Sequence, residues 1–294
     1  MNCLIFPTPP PFKLAPDSPK LEHVEKVLKA ADGGTVFAGQ ANGGLFVCKF
    51  EKLADGGATL TPISDAPNPA PLAASVAVAF ARPQIAQRML FEAACFGVEN
   101  LLFYAASKGE ADYAKSGLYA RGEYAKWLEK GAEQACATSI PSFSTAASLA
   151  EAVEMLDALA PQDSMKIAPD LYEATAYLPD VLDKSPDLHV KAILGSERGF
   201  SNPDRNLLRL NNYTLVSLGN RVLRTDTALI STLSRAGCSL HEREPRHSKL
   251  GGLAPRGGFR FAKFSTHSPT RSLDANKGTS GARCASPSEL RSLR

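Results

Sequence analysis

The chain has 294 residues, of which 44% are hydrophobic and 21% are charged, and its formal net charge is +3. This composition excludes a chain that is disordered throughout, because enough apolar surface is present for at least one sizeable core. The longest apolar run, residues 72–81, is about half a membrane span, and the six widely spaced cysteines argue against a zinc site or a secreted disulfide framework.

Residues 1–68 predict a small β-rich domain. Helical spacing over residues 20–30 is followed by three short alternating runs, at residues 35–38, 44–50 and 58–63. Glycine pairs punctuate these runs, as is typical of turns between antiparallel strands. We therefore expect a β-barrel or half-barrel in this region.

A proline-rich linker at residues 65–71 predicts a domain boundary. Beyond it, residues 72–80 have the pattern of a buried strand, residues 83–97 that of a helix ended by Gly97, and residues 98–104 that of a second strand. A strand, a helix and a strand at this spacing predict a βα unit of a parallel sheet. We assign residues 72–238 to an α/β domain.

The α/β pattern continues with an amphipathic helix over residues 121–136 and another over residues 149–159. Residues 164–170 then predict a strand that ends in a loop. Acidic residues at the end of such a strand, Asp170 or Glu173, lie where a site could form, although a helix cap or a surface acid is the commoner role.

Two loops with unusual polar and glycine content follow the next two predicted strands. The first loop, residues 195–204, follows a strand at residues 189–194. The second begins at Gly219, after a strand at residues 213–218, and leads into a helix for which Thr225 and Asp226 supply cap chemistry. Loops of this composition present backbone amides to a ligand.

The two loops together resemble the paired signature motifs of the SPOUT methyltransferases, and specifically of the RsmE-type enzymes. The first motif of that family is matched by Leu194, Gly195, Glu197, Gly199, Phe200 and Ser201, with Asp204 in place of a glutamate. The second is matched by Leu218, Gly219, Arg221, Leu223, Arg224, Thr227 and Ala228, with Val222 and Asp226 as conservative replacements.

The resemblance covers residues 20–238 and implies a fold. It implies a SPOUT-type α/β knot, which is a parallel sheet with a C-terminal trefoil knot, and a small N-terminal PUA-like β-barrel that binds RNA. Residues 21–29 and 42–46 look like versions of that barrel's pattern. The resemblance also implies a homodimer with the active site at the subunit interface.

The implied activity is methylation of N3 of a uridine in small-subunit (16S) ribosomal RNA, with S-adenosylmethionine as cofactor and no metal. By resemblance, the catalytic residues are Arg224, Glu197 and Arg221, of which the arginines orient RNA and the glutamate organises the site. The implied cofactor-binding residues are Leu194, Gly195, Gly199, Leu218, Gly219, Leu223 and Thr227.

Three residues depart from the family pattern: Ser196 replaces a proline, Arg198 replaces a glycine, and Thr138 falls near an arginine position. Two other hypotheses stay open. In the first, suggested by Arg198, Thr138 and the net acidity of residues 1–238, the chain is a catalytically impaired, SPOUT-derived RNA-binding protein. In the second, it is a SPOUT methyltransferase that acts on a different RNA position, such as a ribose oxygen.

The end of the chain has a different composition. Residues 239–294 contain 11 basic and 4 acidic residues, a charge of +7, whereas residues 1–238 contain 22 and 26, a charge of −4. Few large apolar residues occur there, so we predict a disordered basic tail. Because the N-terminus lacks a basic leader and the cysteines form no framework, we expect a cytoplasmic protein without membrane segments.

Overall fold

The fold is described from a computed structural model, which describes residues 2–185 and 188–241. The predicted tail lies outside the described residues from residue 242 onwards. Its first three residues, 239–241, belong instead to the last helix of the chain, which ends at His241. None of the helices in the described ranges is both long and apolar enough to cross a bilayer.

The secondary structure alternates between strands and helices after a β-rich beginning. The strands are β1 (Cys3–Phe6), β2 (Phe12–Leu14), β3 (Thr35–Gln40), β4 (Leu45–Lys52), β5 (Ala58–Asp65), β6 (Leu72–Ala79), β7 (Val98–Tyr104), β8 (Ser142–Ala146), β9 (Met165–Pro169), β10 (Ala176–Tyr177), β11 (Val190–Leu194) and β12 (Thr214–Ser217). The α-helices are α1 (Pro19–Glu22), α2 (Pro83–Phe96), α3 (Gly117–Ala120), α4 (Tyr124–Ala135), α5 (Leu149–Leu159), α6 (Leu178–Leu182), α7 (Asn202–Leu210) and α8 (Thr225–His241).

The N-terminal residues form a five-stranded sheet in the order β1-β3-β4-β5-β2. The three predicted strands are its central members β3, β4 and β5, which pair antiparallel. The edge strands β1 and β2 were not predicted, because both are short and the prolines between them break the alternating pattern. The predicted helix over residues 20–30 is shorter, since α1 passes at His23 into a single π-helical segment that ends at Val27.

The second sheet has seven strands in the order β10-β12-β9-β11-β6-β7-β8, and every registered pair in it is parallel. This confirms the predicted α/β class with a parallel sheet. Because parallel strands need crossover connections, helices lie on both faces of this sheet.

Successive side chains of β6 point to opposite faces of the sheet, and each set packs against different helices. Val76 and Val78 join a core cluster with side chains of α2 and α8, whereas Ala77 and Ala79 join a second cluster with side chains of α5. A strand that is buried on both sides has no polar face, which explains the continuous apolar run in this part of the sequence.

Helices α2 and α4 pack against each other at close range through Gly131. A Cβ atom on Gly131 would lie 2.8 Å from Cβ of Ala94 and would also meet the carbonyl oxygen of Phe91. The predicted stop of α2 is confirmed, because Gly97 caps this helix with a left-handed φ of 72°.

Thr138 joins the first sheet to the α/β part of the chain. Its side chain is 1% exposed, and its hydroxyl donates to the carbonyl oxygen of Gly43 at 2.6 Å and accepts from the side-chain amide of Asn68 at 2.7 Å. The backbone N–H of Thr138 also donates to the side-chain oxygen of Asn68, at 3.1 Å. The proline-rich linker that contains Asn68 is therefore pinned at this point.

A cationic contact strengthens the same junction. The ammonium of Lys20 lies 2.6 Å from a carboxylate oxygen of Glu129 and 2.9 Å from one of Glu133 on α4. Glu133 also accepts the backbone N–H of Ile5 at 3.1 Å. From the sequence, Glu133 is either a residue of the family pattern or an ordinary residue on a solvated helix face. In the structure it holds β1 to α4.

We expect Gly131→Ala to destabilise the protein by about 1–3 kcal/mol, because the added methyl group forces α2 and α4 apart. Urea denaturation measures the effect. The matched control is Gly237→Ala on α8, where an added Cβ meets no atom within 4 Å. There the gain in helix propensity is expected to stabilise the fold by up to about 1 kcal/mol, so equal effects at the two positions would contradict the close packing.

Candidate functional site

A cleft of about 170 Å³ lies at the carboxyl edge of the parallel sheet. It is lined by the segments that follow three adjacent strands, β9, β11 and β12. We name these segments cleft loop 1 (residues 195–201, after β11), cleft loop 2 (residues 218–224, after β12) and cleft loop 3 (residues 170–175, after β9). The carboxyl edge of an open α/β sheet is where ligands bind in this fold class.

Cleft loop 1 is a tight turn held at both ends. The N–H of Gly199 donates to the carbonyl oxygen of Ser196 at 2.8 Å, and Gly199 has a φ of 67°. Phe200 is buried and anchors the loop to the core. Ser201 and Asp204 then form a capping box that begins α7.

Helix α7 was not predicted, although its signal was present in the sequence. Ser201 and Asp204 have the spacing of a capping box, and Pro203 lies in the first turn, where proline is tolerated. Because the family motif assigns these residues to a loop, the start of the helix was not predicted.

Cleft loop 2 depends on the backbone of Gly219. Its φ of 124° is a conformation that L-residues rarely adopt, and a Cβ atom there would meet nothing within 4 Å. The hydroxyl of Ser217 accepts the N–H of Gly219 at 3.1 Å and fixes the turn. The position of a Cβ at Gly199 is equally open, so both glycines leave the backbone uncovered by side chains.

Cleft loop 3 forms a wall around a buried carboxylate, Asp170. Asp170 accepts the Nε–H of Arg205 at 2.7 Å and the backbone N–H groups of Tyr172 and Glu173 at 2.6 Å and 2.9 Å. Burial alone would raise the pKa of Asp170, but the hydrogen bonds from Arg205 and the two amides outweigh it and hold the pKa below its usual range. The acid that the sequence placed near the site is therefore in the cleft wall as a structural anion.

Most of the predicted site residues line the cleft. They are Leu194, Gly195, Glu197, Gly199, Leu218, Gly219, Arg221 and Leu223. Glu197 and Arg221 are both exposed, so their charged groups are accessible to a ligand.

Arg224 and Thr227 are placed differently from the prediction, since neither lines the cleft. The guanidinium of Arg224 is 63% exposed and lies 3.4 Å from the buried carboxylate of Asp226. Thr225 and Ala228 line the cleft instead, because residues three apart share a face of α8. A match to a sequence motif does not show which side of α8 a residue occupies.

The three departures from the family pattern have structural explanations. Arg198 is not among the described non-glycine residues with positive φ, so its backbone does not require glycine. Its side chain lines the cleft, is 70% exposed and pairs with Glu110 at 3.0 Å. The hydroxyl of Ser196 accepts the N–H of Arg198 at 3.3 Å within the turn. Thr138 lies at the junction with the first sheet and does not line the cleft.

Three exposed hydrophobic residues of the cleft were not predicted as site residues. Leu171 is 41% exposed, Tyr172 is 75% exposed and Val222 is 80% exposed, and all three line the cleft. The sequence carries no signal for Tyr172, because a single tyrosine in a loop matches no pattern. Within the described ranges, no group of three His, Cys, Asp or Glu side chains has the arrangement of a metal site.

A protein-family model described as an RNA methyltransferase domain matches residues 68–237, which is more than half of the chain. The chain belongs to this RNA methyltransferase family. Its resemblance to the RsmE-type enzymes is confirmed by a curated relative, the ribosomal RNA small subunit methyltransferase E of Treponema pallidum. That relative is 24% identical over 260 residues, which are 84% of this chain and 90% of the relative.

Solved structures share the fold of this methyltransferase. A ribosomal RNA small subunit methyltransferase E from Neisseria gonorrhoeae, bound to S-adenosyl methionine, has a TM-score of 0.65 at 17% identity, over 80% of this chain and 95% of that chain. A methyltransferase from Legionella pneumophila, in complex with the same cofactor, has a TM-score of 0.64 at 20% identity, over 81% and 96%. At these identities the likeness shows the fold alone.

We expect Asp170→Asn to destabilise the methyltransferase by about 3 kcal/mol, because the buried guanidinium of Arg205 loses its closer carboxylate partner and keeps only Glu173, at 3.4 Å. Since the pKa of Asp170 is lowered in the folded state, the ion pair stabilises the protein above the ordinary carboxyl pKa. That contribution is lost as the pH falls through the folded pKa, so the difference from the unsubstituted protein should shrink below about pH 4.

Urea denaturation at a series of pH values measures this difference. The control is Asp112→Asn, which removes an exposed carboxylate that pairs with Lys115 and is expected to cost less than about 1 kcal/mol. A constant difference between pH 7 and pH 3 would show that the carboxylate charge of Asp170 is unimportant.

Proposed function

We propose that this RNA methyltransferase transfers a methyl group from S-adenosylmethionine to N3 of a uridine in small-subunit ribosomal RNA. The observation that carries the proposal is the meeting of cleft loops 1 and 2. These loops bear the two signature motifs, follow strands β11 and β12, and line one cleft although β9 separates the strands. The names of the curated relatives support the choice of ribosomal RNA as the substrate.

The residues of the cleft fit the proposed cofactor. Gly199 and Gly219 leave backbone groups open on both loops, which suits a ligand that approaches main-chain amides and carbonyls closely. Apolar side chains of Leu218 and Leu223 line the same cleft and suit contact with a flat adenine ring. When bound, S-adenosylmethionine supplies a methyl group that its sulfonium already activates, so no metal is required.

The proposed reaction is a substitution in which the bond between the methyl carbon and N3 forms as the bond from the sulfur to that carbon breaks. The products are 3-methyluridine and S-adenosylhomocysteine, and a proton acceptor takes the N3 proton. Residues of the chain hold the uracil ring in line with the methyl group, which is catalysis by positioning. We propose that Arg221 contacts the RNA and that Glu197 organises the site, because both line the cleft and are exposed.

Arg224 and Thr227 have a different proposed role from the residues that line the cleft. Arg224 is held beside Asp226, at the start of α8 and next to Thr225, which lines the cleft. From there its guanidinium can reach a phosphate of an RNA that lies across the cleft mouth. Thr227 is exposed on the first turn of α8 and has the same access to a large ligand.

Finer features of the architecture belong to the same proposal. We propose that residues 1–68 form a PUA-like RNA-binding barrel and residues 72–238 an α/β-knot domain with a C-terminal trefoil knot. The packing of α8 against α2, β6 and β11, away from the strand that precedes it, supports the knot. The exposed apolar side chains at the cleft mouth, Tyr172 and Val222, support a homodimer in which a second subunit covers them.

The alternative of an impaired, RNA-binding descendant rests on Arg198, on Thr138 and on the net acidity of residues 1–238. Thr138 has a role at the junction with the first sheet, whereas Arg198 lines the cleft, so this alternative stays open. Methylation at another RNA position, such as a ribose oxygen, stays open, because the geometry of the cleft does not distinguish the acceptor atom. The cytoplasm is the proposed place of action, since the proposed substrate is ribosomal.

We expect the purified protein to transfer an isotopically labelled methyl group from S-adenosylmethionine to small-subunit ribosomal RNA. Digestion to nucleosides and mass spectrometry should place the label on N3 of uridine. Label on a ribose oxygen would contradict the acceptor atom but keep the reaction class. Binding of RNA without any transfer, at saturating cofactor, would support the non-catalytic alternative.

We expect Gly219→Val to weaken the binding of S-adenosylhomocysteine by more than about tenfold, because valine cannot keep a φ of 124° without strain and adds bulk beside the cleft. Calorimetric titration measures the affinity. The matched control is Gly56→Val in the turn between β4 and β5, where φ is also positive, at 85°. Both variants lose stability, but only Gly219→Val should lose binding, so parallel losses would contradict a specific role for Gly219.

A further inference from the structure

The end of strand β7 holds cleft loop 1, although β7 and β11 are separated by β6 in the sheet. The buried phenol of Tyr104, the last residue of β7, donates to the carbonyl oxygen of Leu194 at 3.0 Å, where the loop begins. The ammonium of Lys108 donates to the carbonyl oxygen of Phe200 at 2.9 Å, where the loop ends. One short segment thus contacts the loop at both of its ends.

A third contact joins this segment to the cap of α7. The hydroxyl of Ser107 donates to Oδ2 of Asp204 at 2.6 Å. The same Oδ2 atom accepts the N–H of Ser201 at 2.8 Å and so closes the capping box. Burial would raise the pKa of Asp204, but the hydrogen bonds from Ser107 and Ser201 outweigh it and keep the carboxylate ionised.

These contacts fix the direction of the peptide groups in the loop. A cation on the carbonyl oxygen of Phe200 orients the peptide unit between Phe200 and Ser201, which follows the left-handed turn at Gly199. The hydroxyl of Ser107 orients the carboxylate that holds the other side of that peptide unit. Without the contacts of Ser107 and Lys108, the carbonyl oxygen of Phe200 has no cation beside it and the Asp204 carboxylate loses the hydroxyl that orients it.

Resting on the function proposed above, we propose that Ser107 and Lys108 are positioning residues for cofactor binding. Neither is among the residues that line the cleft, so they act through cleft loop 1 and not by touching the ligand. They keep the backbone of Gly195 and Gly199 in the conformation that accepts the cofactor. Loss of either contact lowers the fraction of molecules with a binding-competent loop and weakens the apparent affinity in proportion.

The test uses Lys108→Met and Ser107→Ala in the full chain. Lys108→Met keeps the length and the apolar stem of the side chain but removes its donor. The matched control is Lys115→Met, because Lys115 lies in the same part of the chain and forms an exposed pair with Asp112. Lys108→Arg is the conservative variant, since arginine still donates to a carbonyl oxygen.

We expect Lys108→Met and Ser107→Ala each to bind S-adenosylhomocysteine about tenfold more weakly in calorimetric titration, with melting temperatures close to that of the unsubstituted protein. Amide hydrogen exchange across residues 195–204 should become faster in both variants without any ligand. Lys115→Met should change neither quantity, and Lys108→Arg should restore most of the affinity.

The exchange measurement separates this inference from the proposed function. If the unsubstituted protein binds neither S-adenosylmethionine nor S-adenosylhomocysteine, the proposed function and the role in affinity both fail. If it binds, but the variants bind equally well or exchange at an unchanged rate, Ser107 and Lys108 are not positioning residues. A large drop in melting temperature together with the loss of binding would assign them to general stability instead.

Discussion

The placement of the cleft depends on one constraint: all seven strands of the large sheet run parallel, and helices lie on both faces of the sheet. Parallel strands end at a common edge, so the segments after β9, β11 and β12 meet there although they are far apart along the chain. Helices bury the two faces of the sheet, so a ligand cannot reach the strands there. The site is therefore a consequence of the sheet, and its chemistry resides in loops that the sheet brings together.

Backbone geometry, more than side-chain charge, shapes this edge. Gly199 and Gly219 adopt positive φ and leave open space where a side chain would project. Arg198, in contrast, occupies a position that an L-residue tolerates, and its long side chain points to an exposed pairing with Glu110. The turn accommodates an arginine at this position because the left-handed conformation falls on the neighbouring residue, Gly199.

Buried charges stabilise the surroundings of the cleft in pairs. Arg205 and Asp170 hold the wall of cleft loop 3, and both side chains are almost fully buried. Near the start of β11, the fully buried ammonium of Lys191 lies 2.9 Å from a carboxylate oxygen of Asp157, which also pairs with Lys166 at 2.9 Å. Removal of Asp170 or Asp157 takes the closest carboxylate away from a buried cation in a medium of low dielectric constant. Such a change lowers the free energy of unfolding strongly.

The sequence by itself determined the parallel α/β class, the stop of α2 at Gly97 and the two loops that carry the methyltransferase motifs. Each of these features is predicted by local hydrophobic periodicity or by the backbone freedom of glycine. Only the tertiary structure decided that Thr138 joins the two sheets, that Arg224 lies beside Asp226 outside the cleft, and that Lys108 reaches the carbonyl of Phe200. Such contacts join residues far apart in the chain or depend on the phase of a helix, and neither property leaves a repeating pattern in the sequence.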